Sequence, residues 1–184
     1  MSATKVDMNS IHLCKAKTIT DRTWVQGYYV YDYGRDIHYI FANEIACPNC
    51  INDRRRDFSL QDYEIDPSTL CHCTGMRDKN SKLIWEHDIV EFLGHKGTIK
   101  FECGSFGIAF REIIDWEEIQ INIMRVTKCA DVLYACENDN YISLWEIYWN
   151  FNDEDDLINT VEVIGNEFDT TCDQGHLESE GCGR

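Results

Sequence analysis

The chain has 184 residues, of which 43% are hydrophobic and 12% aromatic. That is enough for one sizeable domain burying about 70% of its unfolded surface, and it excludes general disorder. The net charge of −16 is unevenly spread: through Val90 there are 11 Lys/Arg against 13 Asp/Glu, and from Glu91 onward 6 against 20. An acidic half of this kind repels nucleic-acid phosphate, which argues against duplex binding, and it attracts a basic partner.

No apolar run approaches the ~20 residues of a membrane helix. The first eighteen residues, MSATKVDMNSIHLCKAKT, lack the apolar core of a signal peptide. A cytoplasmic protein is therefore expected, with its ten cysteines reduced.

In chain order, residues 1–10 are small and polar and are expected to be flexible. Residues 11–18 read as a first strand, with Ile11 and Leu13 on one face and His12 and Cys14 on the other. Residues 24–31 (WVQGYYVY) and 37–41 (IHYIF) are rich in aromatic and β-branched residues and read as a hairpin around a polar turn. Residues 42–61 read as an irregular loop. Tyr63-Glu64-Ile65 reads as a short strand stopped by Asp66-Pro67, because the residue before a proline is pushed out of helical geometry.

Asp78-Lys79-Asn80-Ser81 is a turn, since Asp and Asn bond their own backbone and tolerate turn conformations. Residues 88–93 alternate as a strand, Ile89 and Glu91 facing one way and Val90 and Phe92 the other. Gly94-His95-Lys96-Gly97 reads as a loop, followed by strands over 98–102 and 106–111. Residues 112–126 are ambiguous: Ile113, Trp116, Ile119 and Ile123 fit a helix, Ile119, Ile121 and Ile123 a strand, and the β-branched content favours a strand for the second half. Two more strands are expected over 131–135 and 141–149, a charged turn over 152–156, a last strand over 161–165 and a disordered tail over 170–184.

Many short strands with turn signals every eight to twelve residues indicate a mainly β fold, a β-rich α+β chain. The expected form is an SH3-like barrel or small sandwich with little helix. One domain spans 11–169, with an N-terminal hairpin and loop (11–62) and a barrel-like part (63–169).

The order of segments resembles the YopX family, small proteins encoded by bacteriophages and prophages. The resemblance rests on Trp24, Val25, Gly27 and Tyr28; on Ile65, Asp66, Pro67 and Thr69; on Thr74, Gly75, Asp78 and Asn80; on Glu86, Asp88, Ile89 and Val90; and on Glu162, Val163, Ile164, Gly165 and Asn166. Ser81 and His87 stand where the family pattern has glycine. If the backbone needs positive φ there, each replacement costs about 1 kcal/mol. The resemblance brings no catalytic residues, and a non-enzymatic protein is expected.

The sharpest chemical candidate is a structural zinc held by Cys47, Cys50, Cys71 and Cys73, with His72 as a substitute ligand. Tetrahedral zinc takes four such ligands and would pin a loose loop. The alternative reading of the same residues is unlinked buried or surface thiols. Cys47-Pro48-Asn49-Cys50 lacks the helix start that would activate a redox thiol. The acids Asp115, Glu117, Glu118, Asp153, Glu154, Asp155 and Asp156 are candidates for partner binding; otherwise they form a solvated face. No Gly-x-Ser-x-Gly elbow or phosphate-cradling glycine loop occurs.

The function expected from these features is a phage or prophage accessory protein that binds a host or phage protein through its acidic surface. It could inhibit a DNA- or RNA-binding protein by mimicking nucleic acid. The alternative is a nucleic-acid-associated regulator using Arg54-Arg55-Arg56 and a small zinc site. Self-association through exposed strand edges is a further expectation.

Overall fold

The structure, a computed structural model, describes residues 10–42, 63–102, 104–127, 140–149, 151–152 and 155–169. The expected flexible start (1–9), most of the irregular loop, the strand over 131–135 and the tail (170–184) lie outside the described residues.

Two five-stranded antiparallel sheets form the molecule. The first contains β1 (Cys14–Lys17), β2 (Trp24–Asp32), β3 (Ile37–Ala42), β4 (Cys71–Arg77) and β5 (Leu83–Trp85), in the order β3-β2-β1-β4-β5. The second contains β6 (Asp88–Phe92), β7 (His95–Glu102), β8 (Ser105–Phe110), β9 (Tyr141–Ser143) and β12 (Val161–Asn166), in the order β12-β6-β7-β8-β9. Between β9 and β12 lies a two-stranded ribbon of β10 (Phe151–Asn152) and β11 (Asp155–Asp156). The fold is mainly β, as expected, and takes the sandwich-like form. No closed barrel occurs among the described residues. The first sheet draws strands from both sides of residue 63, because β1 pairs with β4 through Cys14↔His72 and Lys15↔Cys71.

The β2–β3 hairpin matches its aromatic pattern, in register from Gly27↔Ala42 to Asp32↔Ile37. Gly27 is required there: a Cβ would sit 1.8 Å from the Phe41 carbonyl oxygen. The first strand is shorter than its sequence reading and begins at Cys14, because the chain turns before it, Leu13 N donating to Ser10 O. Glu64 and Ile65 make only isolated bridges, to Tyr39 and Thr18. The β6 alternation holds, with Val90 and Phe92 buried.

Three readings are corrected. The expected 94–97 loop is a two-residue hairpin turn, Leu93 and Gly94, with φ of 50° and 87°. Both central residues of such a turn need positive φ to match the strand twist, so His95 already belongs to β7.

Residues 116–127 form a helix throughout, α1 (Trp116–Thr127). Asp115 caps it, its Oδ1 accepting from Glu117 N (3.0 Å) and Glu118 N (3.3 Å). Ile119 and Ile123 are buried one turn apart while Ile121 stays exposed, a helical and not an alternating pattern.

The expected strand over 141–149 stops at Ser143 and becomes α2 (Leu144–Trp149). Ser143 Oγ accepts from Trp145 N at 3.2 Å, and Leu144 and Ile147 are buried three residues apart.

The main apolar core lies on the second sheet. Val90, Phe92, Ile99, Ile108, Ile142 and Val161 pack with Ile119 and Ile123 of α1 and with Leu144 and Ile147 of α2. Met76 and Ile84 bring β4 and β5 into the same core. The first sheet has a small cluster of Cys14, Ala16, Ile40 and Ile65, and a second one of Cys71, Cys73 and Trp85.

Candidate functional site

β1 and β2 alternate, so Lys15 and Lys17 share a face with their partners Gln26 and Trp24. That face turns toward β6 and β12 of the second sheet. Lys15 Nζ crosses the seam to Asp88 Oδ1 at 2.7 Å, both side chains being at least nine-tenths buried. Asp88 Oδ1 also accepts from Asn166 Nδ2 at 2.9 Å, and its Oδ2 accepts from Trp85 N at 2.9 Å. A buried carboxylate with three donors is a well-satisfied anion. The Lys15 ammonium also lies over two indole rings, 5.0 Å from the centroid of Trp24 and 5.4 Å from that of Trp85. Both contacts are within cation–π range.

The segment after β12 closes the seam from outside. Lys17 Nζ donates to Phe168 O (2.6 Å), Trp24 Nε1 donates to Asp169 Oδ1 (2.7 Å), and Asn166 Oδ1 accepts from Phe168 N (3.0 Å). His87 Nδ1 lies 3.1 Å from Glu167 Oε2, and its ring packs 5.0 Å from Phe168.

A second polar joint lies at the β4–β5 turn. Asp78 is buried, its Oδ1 accepting from Asn80 N (2.9 Å) and Lys82 N (2.8 Å), its Oδ2 from Val163 N (3.0 Å). Lys79 N donates to Val161 O at 2.9 Å, and Lys79 Nζ pairs with Glu162 at 2.6 Å. Asp66 forms a third joint, capping the 3-10 turn Pro67–Thr69 through Ser68 N and pairing with Arg22. The Ser68 hydrogen bonds, then Arg22, hold its carboxyl below the usual range.

The residues that carry the resemblance thus answer one another across the chain. Asp78 meets Val163, Asn80 meets Glu162 at 3.3 Å, and Asp88 meets Asn166. Thr74 Oγ1 donates to Ile84 O at 2.9 Å across an irregular stretch of the β4–β5 pairing, where Gly75 has φ of 76°. Ser81 and His87, in place of glycine, have φ of 65° and 64°. Both positions do require the left-handed conformation.

Of the zinc set, Cys71 and Cys73 lie on one face of β4 and are buried, at 0% and 2% exposure. Cys71 Sγ donates to Thr69 O at 3.4 Å, and Cys73 Sγ accepts from Gly75 N at 3.4 Å. Burial pushes the Cys71 thiol up to about 12. His72 points to the opposite face, where its Nδ1 meets Glu86 Oε2 at 2.9 Å. That contact raises the His72 pKa and lowers that of Glu86. Cys47 and Cys50 lie outside the described residues. Among the described residues no three His, Cys, Asp or Glu side chains are arranged around a common point.

Of the acidic set, Asp115, Glu117 and Glu118 are exposed at the start of α1. Asp155 and Asp156 form β11, and Asp153 and Glu154 lie outside the described residues, as does the Arg54–Arg56 run. Sequence reasoning missed Lys15 and Asn166 as site residues. Their only local signal is a lysine alternating with aliphatic residues and an asparagine ending a strand.

No helix among the described residues is long and apolar enough to cross a membrane. The family model described as "YopX protein" matches residues 21–171. No curated protein matches the chain.

Proposed function

The chain belongs to the YopX protein family, and on that premise we propose that it is a non-enzymatic accessory protein of a phage or prophage. It acts in the host cytoplasm by binding a host or phage protein that has a basic surface. The observation that carries this reading is the charge asymmetry, 6 Lys/Arg against 20 Asp/Glu from Glu91 onward. The start of α1 supports it. Glu117 and Glu118 project from the first turn, Ile113 beside them is 98% exposed, and Ile121 and Met124 are exposed further along the helix. Acids around exposed aliphatic side chains suit a partner whose lysines and arginines surround an apolar patch. An acidic surface of this kind can occupy the nucleic-acid site of a DNA- or RNA-binding protein and so inhibit it.

The polar groups at the seam are spent on the chain itself, which supports a binding protein over an enzyme. The test is capture of host-lysate proteins by the tagged chain at low and high salt. The reading expects a captured protein that is released as salt rises, and weaker capture by a Glu117→Lys/Glu118→Lys variant. Capture indifferent to salt, or none at all, would overturn it.

A further inference from the structure

The segment joining β8 to α1 divides two neighbouring isoleucines. Ile113 is 98% exposed, whereas Ile114 is buried and packs in the main core. One side chain fixes this division. Asn140, at a φ of 53° that asparagine tolerates, accepts from Ile114 N at 3.0 Å through its Oδ1. Its Nδ2 donates to Phe110 O at 2.9 Å and to Glu112 O. Its own carbonyl oxygen accepts from Phe110 N at 2.9 Å. The Asn140 amide thus bonds the backbone on both sides of Ile113, and the loop that projects this residue is clamped.

Single exposed aliphatic side chains are ordinary on protein surfaces. Two features set Ile113 apart. The clamp leaves little loop freedom to be lost on association, which favours binding through a side chain already in place. The surroundings also have a definite charge. From Arg111 to Glu118, the acids Glu112, Asp115, Glu117 and Glu118 are exposed against one base, Arg111. Lys96, whose carbonyl oxygen accepts from Arg111 N at 3.3 Å, stands opposite Glu91 in the β6–β7 pairing. The next base on α1, Arg125, donates to Asn122 Oδ1 near the far end of the helix. Between them the helix exposes Ile121 and Met124, three residues apart. A side chain open on all sides is covered only by a concave site, and apolar anchors that fill such pockets dominate the affinity of protein interfaces.

We infer that Ile113 is the anchor of the acidic surface. It enters an apolar pocket of the partner protein whose rim carries lysines or arginines, and these meet Glu112, Glu117 and Glu118. The inference rests on the proposed function. It adds the residue that fixes affinity and the shape of the surface it fits, a rimmed pocket in place of a flat basic patch. The acids steer the approach, and the isoleucine holds the complex.

The test has two arms. In the first, the full chain with labelled isoleucine methyl groups is titrated with an amino-substituted β-cyclodextrin, an apolar cavity ringed by ammonium groups, and followed by NMR. Neutral β-cyclodextrin supplies the cavity without the charge, and spermine the charge without the cavity. The expected result is a saturable shift of the Ile113 methyl signal with the amino-substituted host, about tenfold weaker with either control. In the second arm, the protein captured at low salt and released at high salt is purified, and its affinity is measured for the parent chain and for variants. Ile113→Ala should bind about tenfold more weakly or worse, with an unchanged salt dependence. Ile113→Val should bind nearly as the parent does, and Glu117→Lys/Glu118→Lys should flatten the salt dependence. No saturable Ile113 shift, equal affinity of Ile113→Ala for the captured protein, or a salt dependence altered as much by Ile113→Ala as by the lysine variant would each overturn the anchor and leave the acidic surface standing. Absence of any salt-released protein would overturn both.

Discussion

The two sheets are stabilised by different means. The second sheet packs aliphatic side chains from five strands and two helices into one apolar core, in which Phe92, Ile99, Ile108, Ile119, Ile142 and Ile147 are fully buried. The first sheet adds Met76 of β4 and Ile84 of β5 to that core, and among the described residues its other apolar groups form small clusters. Beyond that apolar contact through β4 and β5, directional contacts join it to the second sheet: Lys15 to Asp88, Asp78 to Val163 and Lys17 to Phe168. Apolar burial depends on area and tolerates repacking, whereas a buried ion pair depends on both partners being present. The halves also differ in charge. The near-neutral portion through Val90 contains the first sheet, and the acidic portion supplies most of the second sheet and both helices.

The largest effect is expected from breaking the Lys15–Asp88 pair. Asp88→Ala strands a buried ammonium and should destabilise the protein by about 3–5 kcal/mol in urea denaturation. A Lys15→Met/Asp88→Ala double variant should recover part of that loss, because no unmatched charge then remains. Strict additivity of the two single losses would mean that the pair is not coupled.

Ile119→Ala, a cavity in the apolar core, should cost about 2–4 kcal/mol and show no dependence on pH between 5 and 9. Ser81→Gly should stabilise the protein by about 1 kcal/mol, since a side chain at φ 65° is strained. His87→Gly should gain less, because the imidazole contacts Glu167 and Phe168. A loss in Ser81→Gly would refute the left-handed assignment.

The smallest effect belongs to His72 and Glu86. The His72 pKa is raised and that of Glu86 lowered, each chiefly by their mutual hydrogen bond. The His72 contribution is complete below the unfolded histidine value and is lost as pH rises through the raised one. The Glu86 contribution is complete above the unfolded carboxylate value and is lost as pH falls through the lowered one. The His72 side chain is 54% exposed, so His72→Gln should cost no more than about 0.5 kcal/mol at pH 6 and less at pH 9.

How legible these features were in the sequence depends on how local their causes are. The β2–β3 hairpin and the Asp66 and Asp78 turns depend on neighbouring residues, and each was readable. The positive φ at Ser81 and His87 was flagged by the glycines they replace. In α1, the isoleucines fit both helical and strand spacing. The deciding residue, Asp115, looked like one more solvated acid and is the helix cap. Strand β4 has no clear alternation in the sequence, since its pairing with β5 is irregular around Gly75, which has φ of 76°. The Lys15–Asp88 pair spans 73 positions, beyond any local pattern.

The most direct test of the seam is native-state hydrogen exchange on Lys15→Met. If directional contacts hold β1, β2 and β3 beside a core built on the second sheet with β4 and β5, amides of β1, β2 and β3 should lose most of their protection. Those of β6, β7 and β8 should stay close to the parent protein. Equal loss in both sheets, or no loss in the first, would contradict the account.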